Sequence, residues 1–198
     1  MSVVLLPTAY LPNLTYLSNV IKHDLVVIEK HEFFVKQTLR NRCEILSSSG
    51  AIRLSIPLVH QSDKEIISQK RISYAEKWQH QHWRTITTAY KNSPYFEFFE
   101  HEFKPFYHHE FEFLIDYNSQ LLQTILNILR IKKQIEFTSQ FDITVNGKID
   151  LRNFKDPSEI EKSEMKPYYQ VFESKLNFVP NLSSLDAIFN IGLQTAEG

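Results

Sequence analysis

The stretch KQTLRNRCE, residues 36–44, holds the most pointed chemistry in the chain. Lys36, Arg40 and Arg42 place three cations close together, with Gln37 and Asn41 between them. If residues 40–43 lead into a strand, side-chain alternation puts Arg40 and Arg42 on one face. Two guanidinium groups side by side repel unless an anion lies between them, and a bidentate phosphate or carboxylate relieves that repulsion. Pairing with Glu29, Glu32 or Glu44 would relieve it as well. Two readings stand: an anion site built from Lys36, Arg40 and Arg42, with Asn41 orienting a polar group, or a set of internal ion pairs.

Two further clusters invite chemistry. Asp24, Glu29, His31 and Glu32 gather around the end of an apolar run, residues 25–28. Ligands of open α/β sheets bind outside the carboxyl ends of strands, and the same rule places the glycine-free turn 7–12, PTAYLP, on that edge. Such a rigid turn either shapes a pocket with Tyr10 or is a corner packed by Tyr10 and Leu11. In WQHQHW, residues 78–83, His80 and His82 lie roughly 200° apart around a helix and cannot share one ion. No HExxH pattern occurs, so a metal site is not expected. His82, beside Trp83 and Arg84, is left as a candidate acid or base, and Glu29 as a second.

These residues need elements to hold them. Residues 3–6 and 25–28 are continuously apolar, as in strands buried on both faces. Leu14, Leu17 and Ile21 recur at helical spacing between them, with Asn13 as N-cap, so a parallel strand–helix–strand unit is expected. Residues 43–46 and 52–56 flank SSSG and read as a hairpin closed by Pro57. Residues 70–74 suggest an edge strand, giving a mixed sheet. From Trp78 the pattern is helical, with Trp83, Ile86, Thr87 and Tyr90 on one face. Ser93-Pro94 has the form of a cap and first turn. Phe96, Phe99 and Phe103 form an aromatic stripe whose acidic company argues for core packing over a base-stacking platform. A long amphipathic helix follows, running from Phe111 to Leu129. Residues 135–141 read as a late strand, 142–168 as a polar excursion or lid, and Leu185, Ile188 and Phe189 as a closing helical turn, with fraying at the end. The fold class is thus α/β, a single domain over 1–198 with a long C-terminal helical segment.

The 198 residues carry a net charge of −1, which offers no field to draw nucleic acid. Only four glycines occur, too few for a dinucleotide or P-loop fingerprint. Cys43 is the lone cysteine and reads as a buried structural thiol. The apolar start lacks a basic region and is cut by Pro7 and Pro12, a poor signal peptide. No run approaches the length of a membrane span. A cytoplasmic protein is expected, with no cofactor nameable from these residues.

Several fragments, in order, resemble the WbqC-like protein family of bacteria: LPTAYLPNLTYL, HDLVVIE, VKQTLRNRCEI, LSIPL, WQHQHWRTITTAYKNSPYFEFF and VPNLSSLDAIFNIG. Asn41-Arg42, and Trp78 with His82, Tyr90, Pro94, Tyr95 and Phe96, are the most specific matches, and LLPTAYLP with KQTLRNRC is most similar to Bacteroidetes members. The resemblance implies a role in surface polysaccharide, especially O-antigen, through acylation or aminoacylation of an amino-sugar precursor. It implies a small phosphorylated or nucleotide-linked sugar as substrate. The alternative is a non-catalytic accessory protein of envelope assembly. Leu5-Leu6 stands where His-Gln commonly precedes the turn in the family, and Glu29 and Glu32 stand where many members carry aspartates.

Overall fold

The computed structural model describes residues 1–60, 62, 64–153 and 165–196. The apolar runs form the centre of a four-stranded parallel sheet in the order β5-β2-β1-β6. β1 (Val3–Pro7) pairs with β2 (Leu25–Glu29) in the register Val3↔Leu25 to Pro7↔Glu29. β1 and β2 are buried along nearly their whole length, as their unbroken apolar runs require. Helix α1 (Leu14–Lys22) connects them and is capped by Asn13, whose side-chain oxygen accepts from the Tyr16 amide at 2.9 Å.

Antiparallel pairing is present as expected, but in a sheet of its own. β3 (Arg42–Ser47) and β4 (Gly50–Ser55) form a two-stranded hairpin. Gly50, at φ 115°, takes a conformation at its turn that side-chain-bearing residues avoid. The hairpin is separate because Arg40 and Asn41 lie in a turn that redirects the chain before β3 begins. Residues 70–74 make isolated bridges, Leu58↔Ile72 and Arg71↔Phe113, rather than the expected strand. The Lys70 ammonium is drawn inward to Glu65 and the Val59 carbonyl.

Helix α2 (Trp78–Tyr90) buries Trp78, His82, Ile86, Ala89 and Tyr90. The buried face is therefore turned from the expected one, with Trp83 and Thr87 only half-buried. A polar residue, His82, occupies a core position, and apolar periodicity alone cannot register it. Helix α3 (Phe96–Phe103) starts after Tyr95, not at Ser93-Pro94. The Ser93 carbonyl accepts from the Phe96 amide in a preceding turn. Helix α4 (Leu114–Ile128) buries Leu114, Leu121, Leu122 and Ile125 as its pattern requires, although Phe111 precedes it.

β5 (Gln134–Phe137) returns to the sheet beside β2, and β6 (Ile149–Asp150) adds two residues beside β1. β6 falls inside the span expected to be a polar excursion, whose residues 154–164 lie outside the described ones. A short turn of helix, α5 (Glu173–Leu176), leads to α6 (Ser184–Ile191), which is buried along nearly its whole length. Gly192–Ala196 form a closing 3-10 turn, and residues 197–198, on which the expectation of fraying also falls, lie outside the described set. Phe189 of α6 packs against Tyr90, Phe96 and Phe103 at ring separations of 5.4, 5.0 and 5.6 Å. The aromatic stripe is thus largely core. Among the described residues no helix is long and apolar enough to cross a membrane.

Candidate functional site

The carboxyl ends of the parallel strands carry a charged network. Glu29 ends β2 and has no exposed surface. One of its oxygens accepts from the His31 amide at 2.7 Å and the Thr138 hydroxyl at 2.8 Å. The other faces the Arg152 guanidinium at 3.3 Å. Arg152 follows β6 and forks onto Asp150 at 3.0 and 2.7 Å, while also donating to the Asp142 carbonyl at 2.7 Å. Its guanidinium lies over the Phe141 ring.

Arg40 joins the same network. It grips Glu32 through two hydrogen bonds of 2.7 Å, and both residues are buried. Its other donors reach the Thr38 hydroxyl at 3.2 Å and the Arg152 carbonyl at 3.1 Å. Burial pushes the Glu32 carboxyl up, against the pull of Arg40. Such a pair is costly to break, because removing either partner strands a desolvated charge.

Arg40 and Arg42 do not share a strand face, since Arg40 precedes β3 in a turn. Arg42 is half-buried and lines a small recess with Gln37, Thr38, Cys43 and Arg53. Its Nε is shielded from water and has no hydrogen-bond partner. The neighbouring acid, Glu44, is taken by Arg53 at 2.7 Å. Asn41 donates from its amide to the Ile56 carbonyl at 2.9 Å, leaving its side-chain oxygen buried and unbonded. Lys36 is exposed on the turn before these residues. Thr38 links the recess to the sheet-edge network.

Tyr10 and His82, distant in sequence, meet in the core. The Tyr10 hydroxyl lies 3.0 Å from His82 Nδ1 and 3.0 Å from the Tyr107 hydroxyl. Trp78 stands edge-on to His82 with ring centroids 5.1 Å apart. Burial lowers the imidazole to about 4, outweighing the nearby Ser55 carbonyl, so His82 is neutral at pH 7. Desolvation raises Tyr10, Tyr107 and the Cys43 thiol, which makes Cys43 a poor nucleophile. The 7–12 turn is a buried corner that aims Tyr10 inward. The Tyr10 amide donates to the Leu39 carbonyl at 2.9 Å, and the Tyr16 hydroxyl to the Pro7 carbonyl at 2.8 Å.

Glu29 and His82 belong to different clusters. A groove of about 450 Å³ between α2 and the hairpin is lined by Ser47, Gln81, Arg84 and Thr88, and none of the candidate residues reaches it. Among the described residues no three His, Cys, Asp or Glu side chains converge as a metal site would need. Sequence reasoning missed Thr138, Asp150, Arg152 and Tyr107. Applying the carboxyl-end rule to the late strand would have found Thr138. Nothing in the polar stretch marks Arg152.

No curated protein and no solved structure matches the chain. The model of the WbqC-like protein family matches residues 8–156. That span takes in the inward corner at Tyr10, the turn and strand at Arg40 and Arg42, the helix carrying His82 and the strap carrying Arg152. With most of its length and both polar clusters inside that match, the chain belongs to the WbqC-like protein family.

Proposed function

We propose that the chain is a cytoplasmic transferase of surface-polysaccharide assembly that acylates or aminoacylates the amine of a phosphorylated or nucleotide-linked amino sugar. Family membership supports the polysaccharide role. The observation that carries the small-molecule reading is Arg42, a half-buried guanidinium whose Nε meets neither water nor an acceptor. A phosphate or carboxylate entering the recess would pair with this guanidinium. Lys36, exposed on the preceding turn, adds positive charge, and Asn41 beside Arg42 keeps an unspent oxygen.

In this reading Glu29, at the carboxyl end of β2, is the base, and His82, neutral and bonded to Tyr10, stays in the core. The amine nitrogen loses its proton to Glu29 and attacks the donor's carbonyl carbon, the new C–N bond forms, and the bond to the leaving group breaks, its electron pair departing with that group. Arg40, engaged in the sheet-edge network, positions that end of the site.

The closure of Glu29, Arg40 and Asn41 onto internal partners favours a second reading, a non-catalytic accessory protein. Phe98, 67% exposed beside Tyr95 on α3, would then contribute to a protein-binding face. A thermal-shift panel of nucleotides, nucleotide-linked amino sugars, acyl carriers and amino acids separates the two readings. The transferase reading expects one ligand class to stabilise the wild type but not Arg42→Ala, with similar melting temperatures for the free proteins. A lower melting temperature for free Arg42→Ala, and no ligand shift in either protein, would make Arg42 a structural residue and favour the accessory role.

A further inference from the structure

Arg152 reaches the carboxyl ends of the parallel strands from β6, the shortest strand among the described residues. β6 is tied to β1 by Val4↔Ile149 and Leu5↔Asp150, followed by the Leu151 amide donating to the Leu5 carbonyl at 2.8 Å. The groups that Arg152 meets come from elsewhere: Glu29 ends the interior strand β2, and Arg40 is locked to Glu32. One strap residue therefore satisfies two fixed groups of opposite charge. Its guanidinium faces Glu29, and its carbonyl oxygen accepts from Arg40.

The distances divide these contacts unequally. The Arg152 guanidinium is held by Asp150 of the same strap at 2.7 and 3.0 Å, and by Glu29 only at 3.3 Å. On leaving the edge, Arg152 would take its counter-charge with it. Glu29 would keep Thr138 and the His31 amide, which fix its carboxylate, but would lose its cation. A buried carboxylate so placed has a strong need for a replacement cation.

We propose that Glu29 and Arg40 form a receptor for a small primary amine that also carries a phosphoryl or carbonyl oxygen, and that Arg152 occupies it as an internal stand-in. The ligand chemistry follows from the occupant: a cation at one end, an accepting oxygen at the other, separated by the length of an arginine side chain. An amino sugar whose phosphate lies across the ring from the amine, as in a 2-amino-sugar 6-phosphate, has that pair at comparable spacing. Its ammonium takes the Arg152 position at Glu29, and its phosphoryl oxygen bonds the Arg40 donor. The inference rests on the proposed function for the choice of sugar and seats the amine-bearing substrate. The strap, residues 142–152, must release Arg152 before this ligand enters.

The test uses glucosamine 6-phosphate as probe and N-acetylglucosamine 6-phosphate as its uncharged-nitrogen control, with calorimetric titration of the full chain. Arg152→Ala clears the cation end and leaves only the backbone carbonyl at residue 152 to be displaced from Arg40, so it is expected to bind the amine about tenfold more tightly than wild type. The N-acetyl control shows no gain, and adding Glu29→Gln to Arg152→Ala abolishes it. In wild type, the amine is expected to speed hydrogen exchange of the Leu151 amide, which pins the strap to β1. A folded Arg152→Ala with no gain overturns the proposal. If that variant does not fold, unchanged Leu151 exchange in wild type at millimolar amine overturns it instead. Adding Arg42→Ala to Arg152→Ala leaves the gain intact, so this site and the Arg42 anion site fail or succeed separately.

Discussion

At the level of single residues, burial sets the chemistry more than residue type does. His82 has the clearest consequence, because its imidazole titrates at about 4 when folded and near 6.5 when free. Between those values the unfolded chain binds the extra proton, so His82's contribution to stability is complete above about 6.5 and is lost as pH falls toward 4. The linkage amounts to roughly 3 kcal/mol at most. Glu32 and Asp186, both raised by burial, act in the opposite sense, so the effect is read as a difference between two proteins. Urea denaturation of wild type and His82→Gln across this window should show the wild-type advantage shrinking as pH falls. Parallel curves would mean that His82 is solvated. Composition and spacing singled out Tyr10, His82, Arg40 and Arg42, yet they could not reveal which of these meet. That depends on a turn placed before β3 and on a hydrogen bond between residues far apart in the chain.

At the level of elements, local signals held wherever the chain itself supplies the partner. Asn13 caps α1 with its own side chain, so Asn13→Ala should cost about 1 kcal/mol in urea denaturation, with an unchanged m-value. No loss would mean that the neighbouring backbone bond from Leu14 to the Leu182 carbonyl holds the helix start alone. The strands β1 and β2 were legible from unbroken apolar runs, the hairpin from its SSSG turn and α4 from its helical spacing, because each of these signals is local. The buried face of α2 was misread, since His82 is polar by type and core by position. β6 left no trace in the sequence: two exposed residues carry no period, and only the unpaired edge of β1 calls them into the sheet. Arg152 was hidden for the same reason, and with it half of the sheet-edge network.

At the level of the whole molecule, residues 165–196 lie beyond the family match yet close its core. Asn181 accepts from the amide and hydroxyl of Thr15, and the Ser183 amide donates to the Glu44 carbonyl on β3. Asp186 is fully buried and accepts from Tyr90 at 2.8 Å, Tyr168 at 2.6 Å and Gln170 at 3.0 Å. Removing that carboxyl strands the Tyr90 and Tyr168 hydroxyls, and Tyr90 in turn accepts from the Leu46 amide of the hairpin. Asp186→Ala should therefore cost about 3 kcal/mol or more. Asp186→Asn keeps one acceptor and should cost less. Desolvation raises the Asp186 carboxyl in the folded state, so the penalty for its buried charge is present above the folded value and relieved as pH falls through it. The wild type should thus gain on Asp186→Asn with acidification, a trend opposite to that of His82. Denaturation curves paired with limited proteolysis decide what the segment is. A lowered but single transition in Asp186→Ala makes the C-terminal segment part of one cooperative core. Early cleavage after residue 165, with the remainder melting as in wild type, would make it an appendage that the family fold does without.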